Sequence, residues 1–399
     1  MLFLAAPGQG AQTPGFLSGW LELPGFAERL AGWSDLAGCD LIRAGTIADA
    51  DEIRDTAVAQ PLLVAAAIAT ALDEVVTGAH PVSRQSVGVA GHSVGELAAG
   101  VLAEVITPAD AMRLIGVRAR GMAAAAAAEQ TGMTAVLGGD EDAVLAAIEA
   151  HGLTAANVNA AGQIVAAGTL AQLAAFAADP PAGSRLRPLS VAGAFHTHHM
   201  APAVDALATA AADLQARDPV RPLLSNRDGA VVKSGPDWLD RIINQVSAPV
   251  RWDLCMQTME SLGVTALIEL PPAGTLTGLA KRALRGVQLV ALKTPDDLDA
   301  ARALLAEHAD SHRDHHAPEW RLIVSPAAGV FRAPGGDPDS VGPGTQVGQD
   351  TDLGRVEIRG GDQAITTSFP ATVMEWLVED RDPVSAGQPL LRLLPTTAE

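Results

Sequence analysis

A short apolar run, Ser86-Val87-Gly88-Val89-Ala90, meets a helix-prone run, Glu96 to Leu102, across the pentapeptide Gly91-His92-Ser93-Val94-Gly95. Strand, sharp turn and helix in immediate succession confine the chain to a layered α/β arrangement at this point, with one serine held out at the bend. Glycines two before and two after Ser93 let the backbone turn without a Cβ clash. The following helix would aim its free N–H groups at the serine. The pattern Gly-x-Ser-x-Gly also occurs in turns whose serine is inert, so the reading needs partners elsewhere in the chain.

Through residue 295 or so, apolar strands alternate with helical stretches, the pattern of an α/β core with a parallel sheet, like that of a hydrolase. Residues 131–195 break it. Met133 to Leu137, a helix over Glu141 to His151, Leu153 to Asn159, Gln163 to Ala167, a helix over Leu170 to Ala178 and a last strand near Leu189 run β-α-β-β-α-β. That order predicts a ferredoxin-like subdomain inserted into the core. Residues 296–319 open as a polar helix and then lose nearly all apolar content, which predicts a linker. His308, His312 and His316 fall at i, i+4, i+8 there, a spacing that could gather a metal, but a solvated histidine-rich tether is the better account. Residues 320–395 turn to short strands separated by glycine and proline. Ile323 to Phe331 echoes Thr367 to Glu375, and Val341 to Gly348 echoes Glu379 to Gln388, which predicts a small quasi-symmetric all-β domain.

Composition removes several functions. A formal net charge of -19 leaves no basic face for a nucleic-acid backbone. The longest apolar candidate, Pro61 to Leu72, is too short to span a membrane and suits a buried helix. Met1 to Ala6 lacks a basic leader and reads as a first strand. Cys39 and Cys255 have no metal-ligand spacing and suit a reducing compartment, so the expected location is cytoplasmic. No metal or cofactor is expected.

Three segments give Ser93 a chemical context. The loop Ala6 to Gln12 follows the first strand, where a main-chain N–H could join that of Val94 as a two-donor oxyanion hole. Residues Ala111, Leu114, Ile115, Arg118 and Met122 form one stripe on a helix that opens at Thr107-Pro108, so Arg118 occupies a position expected to be apolar. A buried guanidinium there could hold a structural carboxylate or, in a two-bond fork, a substrate carboxylate. The loop Gly193 to Met200 holds His196, His198 and His199. A histidine in hydrogen-bond reach would activate the serine, but spacing does not say which one.

These residues stand in the order of a known family. Residues 1 to about 295 resemble malonyl-CoA:acyl carrier protein transacylases through Pro7-Gly8-Gln9-Gly10, Gly91 to Glu96, Arg118 to Met122, Phe195-His196, and Gln245 with Pro249-Val250-Arg251-Trp252. The resemblance implies a Ser93–His196 dyad whose histidine is oriented by a main-chain carbonyl near Gln245. It also implies that Arg118, flanked by Met122, takes the malonyl carboxylate, that Gln9 and Val94 form the oxyanion hole, and that Phe195 disfavours an α-methyl group. Malonyl-CoA and holo acyl carrier protein would be the two substrates of a ping-pong reaction. An acyl hydrolase or a broader acyltransferase using the same dyad is the alternative. His198, His199 and the segment Glu269-Leu270-Pro271-Pro272-Ala273-Gly274 depart from the family pattern.

Residues 320–395 resemble the biotinyl/lipoyl carrier fold, a barrel-sandwich hybrid, with Val384 to Leu390 as its closing turn. The stretch Val356 to Asp362, where that family carries its modified lysine, has none, and no lysine follows Lys293. An acidic docking or assembly module, one that could dock a protein partner, remains.

Overall fold

A computed structural model describes residues 1–72, 87–311, 321–336 and 341–396, in two compact units, Met1–Ser311 and His312–Glu399. The centre of the first is a sheet in the order Gln288–Ala291, Ala266–Glu269, Leu2–Ala6, Val87–Gly91, Leu223–Leu224, Val231–Val232. All neighbours run parallel except the last pair. The strand Leu2–Ala6 shows why it is central. Each of its five residues is buried, with Leu2, Leu4 and Ala6 entering one apolar cluster while Phe3 and Ala5 enter another on the opposite face. A period of two with both faces apolar is what a sheet covered by helices requires.

One of those covering helices, Thr56–Thr70, is apolar on all sides and almost wholly buried, and the Asp55 side chain caps it by accepting from the N–H of Ala57. No helix among the described residues is long and apolar enough to cross a membrane.

Between the strands Val87–Gly91 and Leu223–Leu224 the chain builds a second sheet, ordered Ser184–Pro188, Thr131–Gly138, Gln163–Thr169, Thr154–Ala160, Val250–Arg251. The first four are antiparallel and enclose their own core of Val136, Val144, Ile148 and Phe176. The fifth, from far downstream, joins in parallel beside Asn157 and Val158 and ties this sheet to the remainder of the unit.

The segment expected to be a linker from residue 296 is ordered in its first part. Leu298–Ser311 is a helix within the first unit, and Leu298, Ala301, Leu304 and Leu305 lie in the main core. Those residues recur at helical spacing beneath a polar exterior, so the average composition concealed an amphipathic face. His308 is correspondingly no part of a solvated tether: it is buried, with its Nε2 2.8 Å from Thr265 Oγ1 and its Nδ1 2.8 Å from the carbonyl of Leu304. His312 and His316 lie outside the described residues.

The second unit holds two four-stranded sheets. One is ordered Arg321–Val324, Pro389–Pro395, Ala371–Trp376, Gln346–Val347; the other Gly361–Thr366, Asp352–Ile358, Gly329–Arg332, Pro383–Val384. Taken in chain order, the first four strands form one half and the last four the other. Position by position, the two sheets take strands from the same place in opposite halves, so each sheet holds two strands from each half. Phe331, Val356, Val373 and Leu391 fill the core between them.

Candidate active site

At the end of Val87–Gly91 the chain makes its turn through Ser93, whose φ of 53° is rare for a residue with a side chain. The turn is possible because of what surrounds it. A Cβ on Gly91 would lie 2.0 Å from the carbonyl carbon of Gly95, and one on Gly95 would lie 2.3 Å from the carbonyl oxygen of Ala6. Both positions admit hydrogen alone. The helix Gly95–Leu102 starts immediately, with Val94 at its N-cap and its N–H outside the helix's own bonds.

Buried Asn226 staples the turn from beneath. Its Oδ1 accepts from the N–H of Ser93 at 2.7 Å and its Nδ2 donates to the carbonyl of Gly91 at 2.8 Å. One amide thereby holds the backbone on both sides of the bend.

Above the bend, Ser93 Oγ and His196 Nε2 are 2.7 Å apart, and His196 Nδ1 is 2.8 Å from the main-chain carbonyl of Gln245. With a carbonyl as acceptor, Nδ1 carries the proton and Nε2 faces the hydroxyl as a base. Burial, reinforced by the charge of Arg118, lowers the imidazole pKa to about 3, so the ring is neutral at ordinary pH. Of the three histidines in the loop, His198 is exposed and His199 pairs with Glu129 at 2.6 Å. Only His196 reaches the serine.

Arg118 is 1% exposed on the helix Pro108–Ala128, among the apolar residues of its stripe. Among the described residues no carboxylate forms an ion pair with it. Its guanidinium donates to two amide oxygens, Gln60 Oε1 at 2.6 Å and Gln245 Oε1 at 3.0 Å. Burial lowers its pKa to about 10, and the nearby charge of Glu96 works in the other direction. A cation held by neutral oxygens alone retains much of its capacity to attract an anion.

Ser93, His196, Gln60, Gln9, Met122 and Phe195 share the wall of a cavity of about 160 Å³. Gln9 sits in the loop against the bend, its Nε2 3.3 Å from the carbonyl of Arg54. A cleft of about 550 Å³ opens beside Arg54 and Val191, but no histidine lines it. The base and nucleophile belong to the smaller space.

Composition and spacing alone pass over Asn226, Gln60 and Glu96. Gln60 was visible as the polar residue directly before the apolar run Pro61 to Leu72. Glu96 was visible as an acid between a turn and Leu97-Ala98-Ala99. Asn226 gives no such signal, because it follows a two-residue strand. The departing segment Glu269 to Gly274 is coherent: the Glu269 carboxylate accepts from the N–H groups of Gly274, Leu276 and Thr277 and anchors the next helix.

Comparison with known proteins places this geometry among acyl transferases. The acyl transferase domain family matches residues 7–318. The malonyl CoA-acyl carrier protein transacylase of Mycobacterium tuberculosis is 54% identical over 299 residues, which cover 75% of this chain and 98% of that protein. The crystal structure of MCAT from Mycobacterium tuberculosis superposes with a TM-score of 0.72 at 53% identity, covering 76% of this chain and 99% of that one. A malonyl-transacylase solved with a holo type II PKS acyl-carrier protein gives 0.70 at 28% identity, covering 76% and 99%. From the stapled Ser93 turn to the match along residues 7–318, the chain belongs to the acyl transferase domain family and, within it, groups with the malonyl CoA-acyl carrier protein transacylases.

Proposed function

We propose that the chain moves a malonyl group from malonyl-CoA to the phosphopantetheine thiol of an acyl carrier protein, through a malonyl ester on Ser93. The observation that carries the choice of acyl group is Arg118, a buried cation bonded to two amide oxygens and to no carboxylate among the described residues. The free carboxylate of a malonyl thioester is the ion such a fork takes. An acetyl group offers it nothing.

The steps follow from the hydrogen bonds. His196 Nε2 takes the proton of Ser93 Oγ as the oxygen attacks the thioester carbonyl, and the Nδ1 bond to the carbonyl of Gln245 keeps the ring in the tautomer that can do so. Main-chain N–H groups of Gln9 and Val94 receive the oxyanion. The C–S bond breaks, coenzyme A leaves with the proton from His196, and the malonyl ester remains. The carrier thiol then gives its proton to His196, attacks the ester carbonyl, and Ser93 leaves, recovering the proton. Phe195, buried in the cavity wall, crowds the α-carbon and disfavours a methyl branch.

Incubating the protein with malonyl-, methylmalonyl- and acetyl-CoA and weighing the Ser93 peptide tests this reading. We expect a malonyl adduct that holo carrier protein discharges and that Arg118→Met prevents. No adduct on Ser93 would overturn the proposal, and loss to water alone would make the protein a hydrolase.

Residues 131–195 we read as a ferredoxin-like insertion, supported by the β-α-β-β-α-β order and the antiparallel pairing of its four strands. The second unit we read as a biotinyl/lipoyl-like domain, supported by the exchange of strands between its halves. Its hairpin turns at Arg359-Gly360 where the carrier lysine would stand, and a guanidinium does not replace an acylated amine. Docking of a protein partner is the role left to it.

A further inference from the structure

Among the described residues of the first unit two acids are fully buried, Glu96 and Glu269. Glu269 is accounted for by the N–H groups it anchors. Glu96 takes no part in the steps above, although it lies at the centre of the polar network beneath Ser93. Its Oε1 accepts from the main-chain N–H of Asn226 at 3.0 Å, and its Oε2 accepts a very short bond from Gln245 Nε2.

The second contact matters because of what an amide is. Oxygen and nitrogen of the Gln245 side chain have nearly the same shape, so only their partners decide which faces which way. Nε2 donates to Glu96 and, at 3.1 Å, to the carbonyl of Ser93; Oε1 is thereby turned toward Arg118. The Ser93 carbonyl already accepts from the N–H of Glu96 at 3.0 Å. Asn226 Oδ1, at 3.4 Å, is a third acceptor beside the same nitrogen; the carboxyl group makes the shortest of the three contacts and is the main latch on the amide. Were the amide reversed, a nitrogen donor would face the donors of Arg118.

We propose that Glu96 is a positioning residue for recognition of the acyl carboxylate: by latching the Gln245 amide it keeps an acceptor oxygen on Arg118 and so aims the guanidinium. The proposal rests on Arg118 binding that carboxylate, as set out above. Glu96→Gln makes the logic explicit. The N–H of Asn226 belongs to the backbone and cannot turn, so the new side chain must give it its oxygen. Its NH2 group then faces the NH2 of Gln245, donor against donor, so the latch is lost and Gln245 Oε1 is no longer held on Arg118.

The test uses the full chain and three reagents: malonyl-CoA, acetyl-CoA and phenylmethylsulfonyl fluoride, which reads the Ser93–His196 dyad without Arg118. In Glu96→Gln we expect malonyl kcat/KM to fall by about tenfold or more, chiefly through KM, with the malonyl-to-acetyl ratio falling alongside. Sulfonylation of Ser93 falls far less. Glu96→Asp keeps a carboxyl group and the bond to Asn226 but stops a methylene short of Gln245; it loses the ratio in smaller measure and decides the question should Glu96→Gln not fold. An unchanged ratio in the folded variants overturns the proposal, as does an equal loss of malonyl loading and sulfonylation. Failure of the unmodified protein to load malonyl would instead overturn the function on which the proposal rests.

Discussion

At the scale of single residues, the site is a set of buried polar groups each placed by another. The His196 pKa gives the first prediction. Burial and the Arg118 charge hold it near 3 in the free protein. Replacing Arg118 with Met removes the positive neighbour, so the imidazolium becomes less costly, the pKa rises, and less neutral base remains at mildly acid pH. The acid limb of the Ser93 sulfonylation rate should therefore move to higher pH in Arg118→Met, and a pH–rate profile in which it stays put would remove Arg118 from the electrostatics of the dyad. Asn226→Ala tests the staple. Leaving the Ser93 N–H and the Gly91 carbonyl without partners should cost about 1–3 kcal/mol, read as a lower melting temperature and slower Ser93 acylation in single-turnover kinetics. Much of this was visible in the sequence. Ser93 stood in a strand–turn–helix context and Arg118 interrupted an apolar stripe, because nucleophile elbows and misplaced charges leave local marks. The choice among His196, His198 and His199 was invisible to spacing, since it depends on a helix end, Gln245, that is far away in sequence. Asn226 and Gln60 left too little local contrast for their roles to be read.

At the scale of elements, two features carry testable weight. The turn at Ser93 packs so closely against the loop after the first strand that Gly95→Ala would put a methyl group 2.3 Å from the carbonyl oxygen of Ala6. We expect that variant to lose Ser93 acylation and several degrees of melting temperature together, whereas Gly32→Ala, exposed on the helix Phe26–Ala37 with open space around the added methyl, should retain the activity. The helix Leu298–Ser311 contributes Leu298, Leu304 and Leu305 to the main core. At roughly 1.5–3 kcal/mol for each leucine buried, a chain ended at Thr294 should lose on the order of 5 kcal/mol relative to one ended at Ser311, measurable by urea unfolding. Strand positions were readable from composition because a strand buried on both faces is a plain apolar run. This helix was misjudged because polar residues outnumber its buried ones, and only their spacing marks the hidden face.

For the molecule as a whole, the two compact units have separate cores, one built around the parallel sheet and one between the paired four-stranded sheets. Units with their own cores fold alone, so a chain ended at Ser311 should load malonyl on Ser93 at a rate within about twofold of the full protein. A large loss would show that the second unit contributes to the reaction itself. In that second unit, the halves were recognisable as a sequence echo, but a repeat in sequence does not say whether each copy folds on itself. Here neither copy does. Because every sheet interleaves strands from before and after Arg359-Gly360, a backbone cut at that turn would leave two peptides that are each unfolded and that regain structure on mixing. The same interleaving means that one half alone has no complete sheet to close, and could fold only by wrapping around a second copy of itself.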